Sequence, residues 1–566
     1  MIIKIIIFMV KEVTIMKKRV ISLFLTFCML LSMLVGCSGN KDVGKTNISY
    51  EDVEGTVNLS VGVMQNVNVT SYTENAFTNY LEENLDIELE FVYFSSSITE
   101  AQQQLALMAS SGEELPDVIL GFIGMGQYSV YDYGDDGYFL ELTDLIEKYG
   151  TNYKNAYDGL DQETKRRLDG MMVNPANDAI YAMPAVAVEA VDNMQSIMYI
   201  NQEWLDNLGL SAPKNVDELY NVLKAFKTQD PNGNGKPDEI PMFGAVNIIN
   251  YIINAFVYYD DSRVFNVTDG KLWSAASSDK YREALTFVNK LVEEGLLSDM
   301  TFTVTASTER KNLITPEDDV AQVGIWGGHP ATTTTTTTEI LNQYTALSYL
   351  DGVTEEGGYN VVDPVAIYLA SYITKDCDNA ARAMKLLDFF YNDETVKRMR
   401  NGEYGVDWTD GEGVDMCGVP NKTKVINAQA FFEGNTTWCK CIHAIYTNEN
   451  YLFINDEEGD GREAEVNRLS REGYEIITAA REAGDVKDPK DTTQGLRYTA
   501  EENTTRETYN TLYKEFISEQ RVLFATGEQD VTDDAVWNKY LSTLESLEEG
   551  TLLELAQTSW DRLYAK

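Results

Sequence analysis

Apolar and polar residues alternate along residues 57–63, Val-Asn-Leu-Ser-Val-Gly-Val, a period of two that predicts a strand with one buried face. A helix is predicted over 77–85, a second strand over 87–93, and a helix over 99–110 whose Gln/Leu/Met spacing keeps one stripe apolar. Asp117-Val-Ile-Leu120 reads as a short buried strand. Strands alternating with helices in this way predict parallel βαβ units, and an open sheet of that kind binds ligands beyond the carboxyl ends of its strands. Strand-like runs follow at 179–184, 196–200, 240–243 and 322–326, interleaved with helical patterns at 201–209, 216–227 and 278–296. Residues 380–391 and 394–399 read as helical, and 501–566 almost wholly so. No internal repeat of about 20 to 50 residues is present, so a solenoid is not expected.

The pattern breaks at the start of the chain. Lys17, Lys18 and Arg19 precede an apolar run over 20–35 that ends in Leu34-Val35-Gly36-Cys37-Ser38. A basic stretch, a short apolar run and small residues at the cut predict a secretory signal over 1–36, with Met16 as the more usual start. The competing reading, one membrane-spanning helix, asks for a longer run. The cysteine after Val-Gly resembles a bacterial lipobox, which implies that Cys37 is lipidated and begins the mature chain. Residues 37–56, polar and glycine-containing, read as a tether.

Length adds that 566 residues exceed what one core organises, so two lobes are expected. Acidic residues outnumber basic ones 90 to 45, and a net charge of −45 argues against nucleic acid or an anionic membrane surface as partner. The two histidines, His329 and His443, read as solvated loop residues and are few for an enzyme. Cys377, Cys417, Cys439 and Cys441 fall in an oxidising compartment, as structural or free thiols or as a disulfide.

The run with the most chemistry is Asp230-Pro231-Asn232-Gly233-Asn234-Gly235-Lys236-Pro237-Asp238-Glu239. Oxygen-bearing side chains alternate at Asp230, Asn232 and Asn234, and Gly235 stands at the sixth place, where a tight loop needs positive φ. Such a curl converges on a hard cation with six to eight oxygens, which is calcium. The first half matches the EF-hand pattern D-x-[DN]-x-[DN]-G; the twelfth place is Pro241 instead of a bidentate Glu, and the acids come early at Asp238 and Glu239. Lys236 would offer its backbone carbonyl. The alternative is a plain Asx/Gly turn between a helix and a strand.

These pieces together resemble one family. They are the lipobox, Asp117-Val-Ile-Leu120, Tyr181-Ala-Met-Pro184, the stretch from Asn201 through Leu208-Gly-Leu-Ser-Ala-Pro213 to the loop, Gly405-Val-Asp-Trp408, and Phe524-Ala-Thr-Gly527 with Trp537-Asn-Lys-Tyr540. The chain resembles the lipoprotein solute-binding components of ABC sugar importers, extracellular solute-binding protein family 1, and among them the larger oligosaccharide binders that carry a calcium loop. The resemblance implies an α/β, two-lobed periplasmic-binding-protein-like type II fold, each lobe a mostly parallel sheet flanked by helices, with a helical C-terminal region. Lobe 1 is expected from 57–180 plus 340–405, and lobe 2 from 181–339 plus 406–566 with the calcium loop at 230–239. It implies structural Ca2+ held by Asp230, Asn232, Asn234, the Lys236 carbonyl, Asp238 and Glu239, away from the ligand.

It further implies a monomer, lipid-anchored outside the cytoplasm of a bacterium of the Gram-positive kind. That protein captures an oligosaccharide between its lobes, delivers it to the permease subunits and breaks no bond. Trp326, Trp408, Trp438 and Tyr128 are the candidate sugar-stacking aromatics, since an indole or phenol covers the apolar C–H face of a sugar; each also reads as core packing. A secreted polysaccharide-cleaving enzyme and a peptide binder of the same fold are the competing functions, and with 90 acids some carboxylate pair always looks suitable for the former.

Overall fold

The computed structural model describes residues 50–564 except 122–124, 189–196, 247, 262–263, 305, 317–319, 335–336, 359–364, 415–419, 428–429, 431–434, 439–444, 447–460, 486–490 and 494. The signal, Cys37, Cys417, Cys439, Cys441 and His443 therefore lie outside the described residues, where Cys377 is a buried free thiol. No described helix is long and apolar enough to cross a membrane.

Alternation does set the first strands. β1 (Val57–Met64) buries Leu59, Val61 and Val63, and pairs in parallel with β2 (Ile87–Phe94) and β3 (Val118–Leu120). Ser60 on β1 is tied to Asp117, whose Oδ2 accepts its N–H and its hydroxyl, both at 2.7 Å. β4 (Met183–Val188), β11 (Val365–Ile373) and β14 (Ile445–Tyr446) complete a six-stranded sheet in the order β14-β4-β11-β3-β1-β2. A second sheet runs β10-β5-β9-β6, from β5 (Met198–Asn201), β6 (Ile240–Met242), β9 (Val323–Gly327) and β10 (Tyr344–Leu347). Two hairpins, β7 (Phe265–Thr268) with β8 (Lys271–Ser274) and β12 (Trp408–Val414) with β13 (Pro420–Val425), stand apart.

The fold is of the expected class, with one difference in strand direction. The sheets are mixed instead of mostly parallel, because β11 returns between β3 and β4 antiparallel to both, and in the second sheet only β6 and β9 are parallel. β4 belongs with the first sheet and β10 with the second, so the chain changes sheets between Val188 and Met198 and again between Leu347 and Val365. β14, expected in the second half, pairs with β4 of the first sheet.

Helices start and stop where local chemistry dictates. In Val216–Thr228 the Asn215 side chain accepts from Glu218 N–H, Asp217 and Glu218 sit in the first turn, and Leu219, Val222, Leu223 and Phe226 are buried. The C-terminal region is helical as expected: Ala500–Ala525 opens on a Thr499/Glu502 capping box and is followed by Asp534–Ser546 and Glu549–Tyr564. At the other end, buried Arg382 holds the segment that enters β1. It bonds Asp52 Oδ1 at 2.9 Å and the carbonyls of Val53, Gly55, Leu85 and Asp86. Arg382→Ala is expected to free residues 50–56, read as faster amide hydrogen exchange there with the exchange of β6 and β9 unchanged.

Candidate functional site

β9 ends in glycine and a glycine lies two residues past the end of its parallel partner β6, and the space beyond those carboxyl ends is a cavity of about 710 Å3. Phe243, Gly244 and Ala245 follow β6; Gly327 ends β9 and Gly328 follows it. Gly328 has φ +119°, a conformation that favours glycine. The helix Ile248–Phe256 contributes Asn250 and Asn254, the following loop contributes Tyr258 to Asp261, and Ser307–Ile314 contributes Arg310 and Lys311. Thr332 and Thr333, from the run of seven threonines at 332–338, line it too. Carboxylate, amide, guanidinium, ammonium and hydroxyl groups thus face one space, a lining suited to a ligand rich in hydroxyls. Tyr251 and Tyr259 are pushed up by burial and stay neutral.

At β9 the glycines border the cavity and Trp326 does not. Trp326 is fully buried, stacked on Tyr199 with ring centroids 4.4 Å apart and edge-on to Tyr344 at 5.7 Å, so it presents no face to a ligand. Trp408 is also buried, its Nε1–H donating to Gly402 O at 2.8 Å. Trp438 packs among Tyr72, Phe77, Phe91 and Phe390 and donates to Thr78 Oγ1 at 2.9 Å. All three indoles are corrected to packing residues. Tyr128, half-buried on Gln127–Asp135, lines a separate cavity of about 260 Å3 with Tyr498 and Arg506. His329 is buried and not the solvated loop residue expected.

The polar lining was missed, although one signal existed. Ile248–Phe256 is apolar nearly all round, yet it carries two asparagines four residues apart, on one face. The charged groups come from elements distant in sequence and had no local signature.

The decapeptide 230–239 is curled. Asp230, Gly233 and Gly235 have φ +49°, +69° and +75°. The Asp230 carboxylate accepts from Gly235 N–H at 3.1 Å, Asn232 Oδ1 from Asn234 N–H at 3.0 Å, and Asn234 Oδ1 from Lys236 N–H at 2.7 Å. Asn234 Nδ2 donates to Asp238 Oδ1 at 3.0 Å, and Asn232 Nδ2 to the same oxygen at 3.3 Å. Among the described residues no three His, Cys, Asp or Glu side chains form a metal-holding group. Glu239 Oε1 is nevertheless buried with no hydrogen-bond partner, and burial together with nearby Asp238 and Asp230 raises its carboxyl above the ordinary range. A counter-charge is what that corner lacks.

Mixed helix-covered sheets, a helical C-terminal region and a polar cavity beyond the ends of two parallel strands define an α/β solute-receptor fold. The chain belongs to the bacterial extracellular solute-binding proteins, whose family model matches residues 66–397. It is 31% identical over 239 residues to the fructooligosaccharide ABC transporter substrate-binding protein FusA of Streptococcus pneumoniae serotype 4; the match covers 40% of this chain and 42% of that relative. An extracellular solute-binding protein from Bifidobacterium longum subsp. infantis shares the fold, with a TM-score of 0.72 at 22% identity over 91% of this chain and 100% of its own. So does an EF-hand mutant of S. pneumoniae FusA in complex with fructo-nystose, with a TM-score of 0.65 at 20% identity over 90% and 99%.

Proposed function

We propose that this chain is the substrate-binding lipoprotein of a bacterial ABC importer, holding an oligosaccharide in the cavity beyond β6 and β9 and delivering it to a membrane permease. The observation that carries the reading is the lining: amides, carboxylates and hydroxyls around one large space at strand ends, in a chain of a solute-binding family. The relative FusA, by its name, takes fructooligosaccharides. Capture is a closing of the two lobes on the sugar, so ligand lowers the free energy of the closed form only. Small-angle scattering of the protein against a panel of neutral oligosaccharides should show compaction with at least one; no compaction with any of them overturns the reading.

Residues 230–239 fit a structural Ca2+ on the strength of the orphaned Glu239 oxygen. Asp230, Asn232, Asn234, the Lys236 carbonyl, Asp238 and Glu239 would hold it, and it would supply positive charge that fixes the curl between Val216–Thr228 and β6. Cys37 is the proposed lipid attachment point, holding a monomer outside the cell membrane.

A further inference from the structure

One group bonded to the wall of the cavity beyond β6 and β9 comes from the far end of the chain. Arg521 lies on Ala500–Ala525 with its side chain 2% exposed. Its Nη1 donates to Asn250 Oδ1 at 2.9 Å and makes a close ion pair with Asp261 Oδ1. Asn250 Nδ2 donates to Asp261 Oδ2 at 3.0 Å, which closes a ring of three side chains. The Tyr259 ring covers the guanidinium, centroid 5.6 Å away. An apolar side chain would fill the same space without the cost of burying a charge, so packing alone does not explain an arginine here.

The ring is asymmetric. Arg521 is sealed in, whereas the Asp261 side chain is 42% exposed, and Asp261 and Asn250 both line the cavity. The ring fixes the Asn250 amide with oxygen toward Arg521 and nitrogen toward Asp261. Among the described residues it leaves the second Asn250 N–H and further Asp261 lone pairs unfilled, a donor and an acceptor side by side. Two adjacent hydroxyls of one sugar ring match that edge, one accepting and one donating.

We propose that Arg521 is a positioning residue that locks Asn250 and Asp261 into a recognition edge for a vicinal diol, so that the site selects a sugar unit with two adjacent free hydroxyls at that point. This rests on the cavity being the sugar site. Without Arg521 the amide is free to turn over and the carboxylate to swing into solvent, and the edge is lost.

Isothermal titration tests it with a panel of neutral oligosaccharides of glucose, fructose, galactose and mannose units, followed by the monodeoxy derivatives of the tightest binder. On the wild type, one monodeoxy derivative should lose about 10- to 100-fold in affinity, as expected for hydrogen bonds to a charged group. Asp261→Asn and Arg521→Met should each weaken the parent sugar by a similar factor and shrink that deoxy penalty to under about threefold, because the edge is already gone. Arg521→Lys keeps a buried cation and hence the fold, but one ammonium does not reproduce the planar fork, so it too should bind measurably more weakly. Binding of the parent sugar within about twofold of wild type in both Arg521→Lys and Asp261→Asn overturns the proposal, as does a full deoxy penalty in Asp261→Asn. If the wild type binds no member of the panel, the sugar-site reading itself fails, and that outcome is distinct from variants that match a binding wild type.

Discussion

Truncating Trp438 to alanine is expected to destabilise the protein by about 3–5 kcal/mol, measured by chemical denaturation. The indole is fully buried, meets the rings of Tyr72, Phe77, Phe91 and Phe390 edge-on or tilted, and donates its N–H to Thr78 Oγ1. Removing it leaves a large void where helix Ala76–Leu85 meets β2 and takes away the donor to Thr78 Oγ1, whose own hydroxyl still donates to Tyr72 O. A tryptophan that stacked on a ligand from a cleft wall would behave otherwise: its loss would weaken binding and leave the midpoint almost unmoved. A stability change under about 1 kcal/mol contradicts the packing assignment.

Calcium removal is expected to have an effect of similar size. With free calcium about a thousandfold above its Kd, chelation should remove about 4 kcal/mol of stability, and added calcium should restore it. The physical source is the corner where Glu239 Oε1 is buried without a partner beside Asp238 and Asp230. Glu239→Gln should therefore melt higher than wild type in EDTA and gain less from calcium, since it removes both the crowded charge and a ligand. Identical melting in EDTA and in calcium leaves 230–239 as a turn stabilised by its own Asx hydrogen bonds.

These two regions show what the sequence carries and where it stops. β1 and β2 were legible because one face of each is buried and the period of two survives in the residues. β4 was placed four residues early, at 179–184, because Met183–Val188 lacks alternation and marks no edge. Sheet membership was not legible: pairing of β11 between β3 and β4 joins segments more than 170 residues apart, and no local signal encodes it. The decapeptide was legible as a curl because Asx residues and glycines at fixed spacing act on their own backbone. The tryptophans misled for the opposite reason. Glycines beside an aromatic mark a place where the chain turns tightly, and at β9 the glycines, not Trp326, border the cavity. Arg521 acts 260 residues from Asp261, beyond reach of any spacing argument.

Titration calorimetry of a neutral oligosaccharide panel against the wild type and Ala245→Trp bears most directly on the central claim. Ala245 lines the cavity beyond β6 and β9 and is only partly buried, so an indole there fills the space without entering the core. The account predicts that at least one oligosaccharide binds the wild type and none binds Ala245→Trp at unchanged stability. Equal binding by both proteins, or a wild type that binds nothing in the panel, contradicts it.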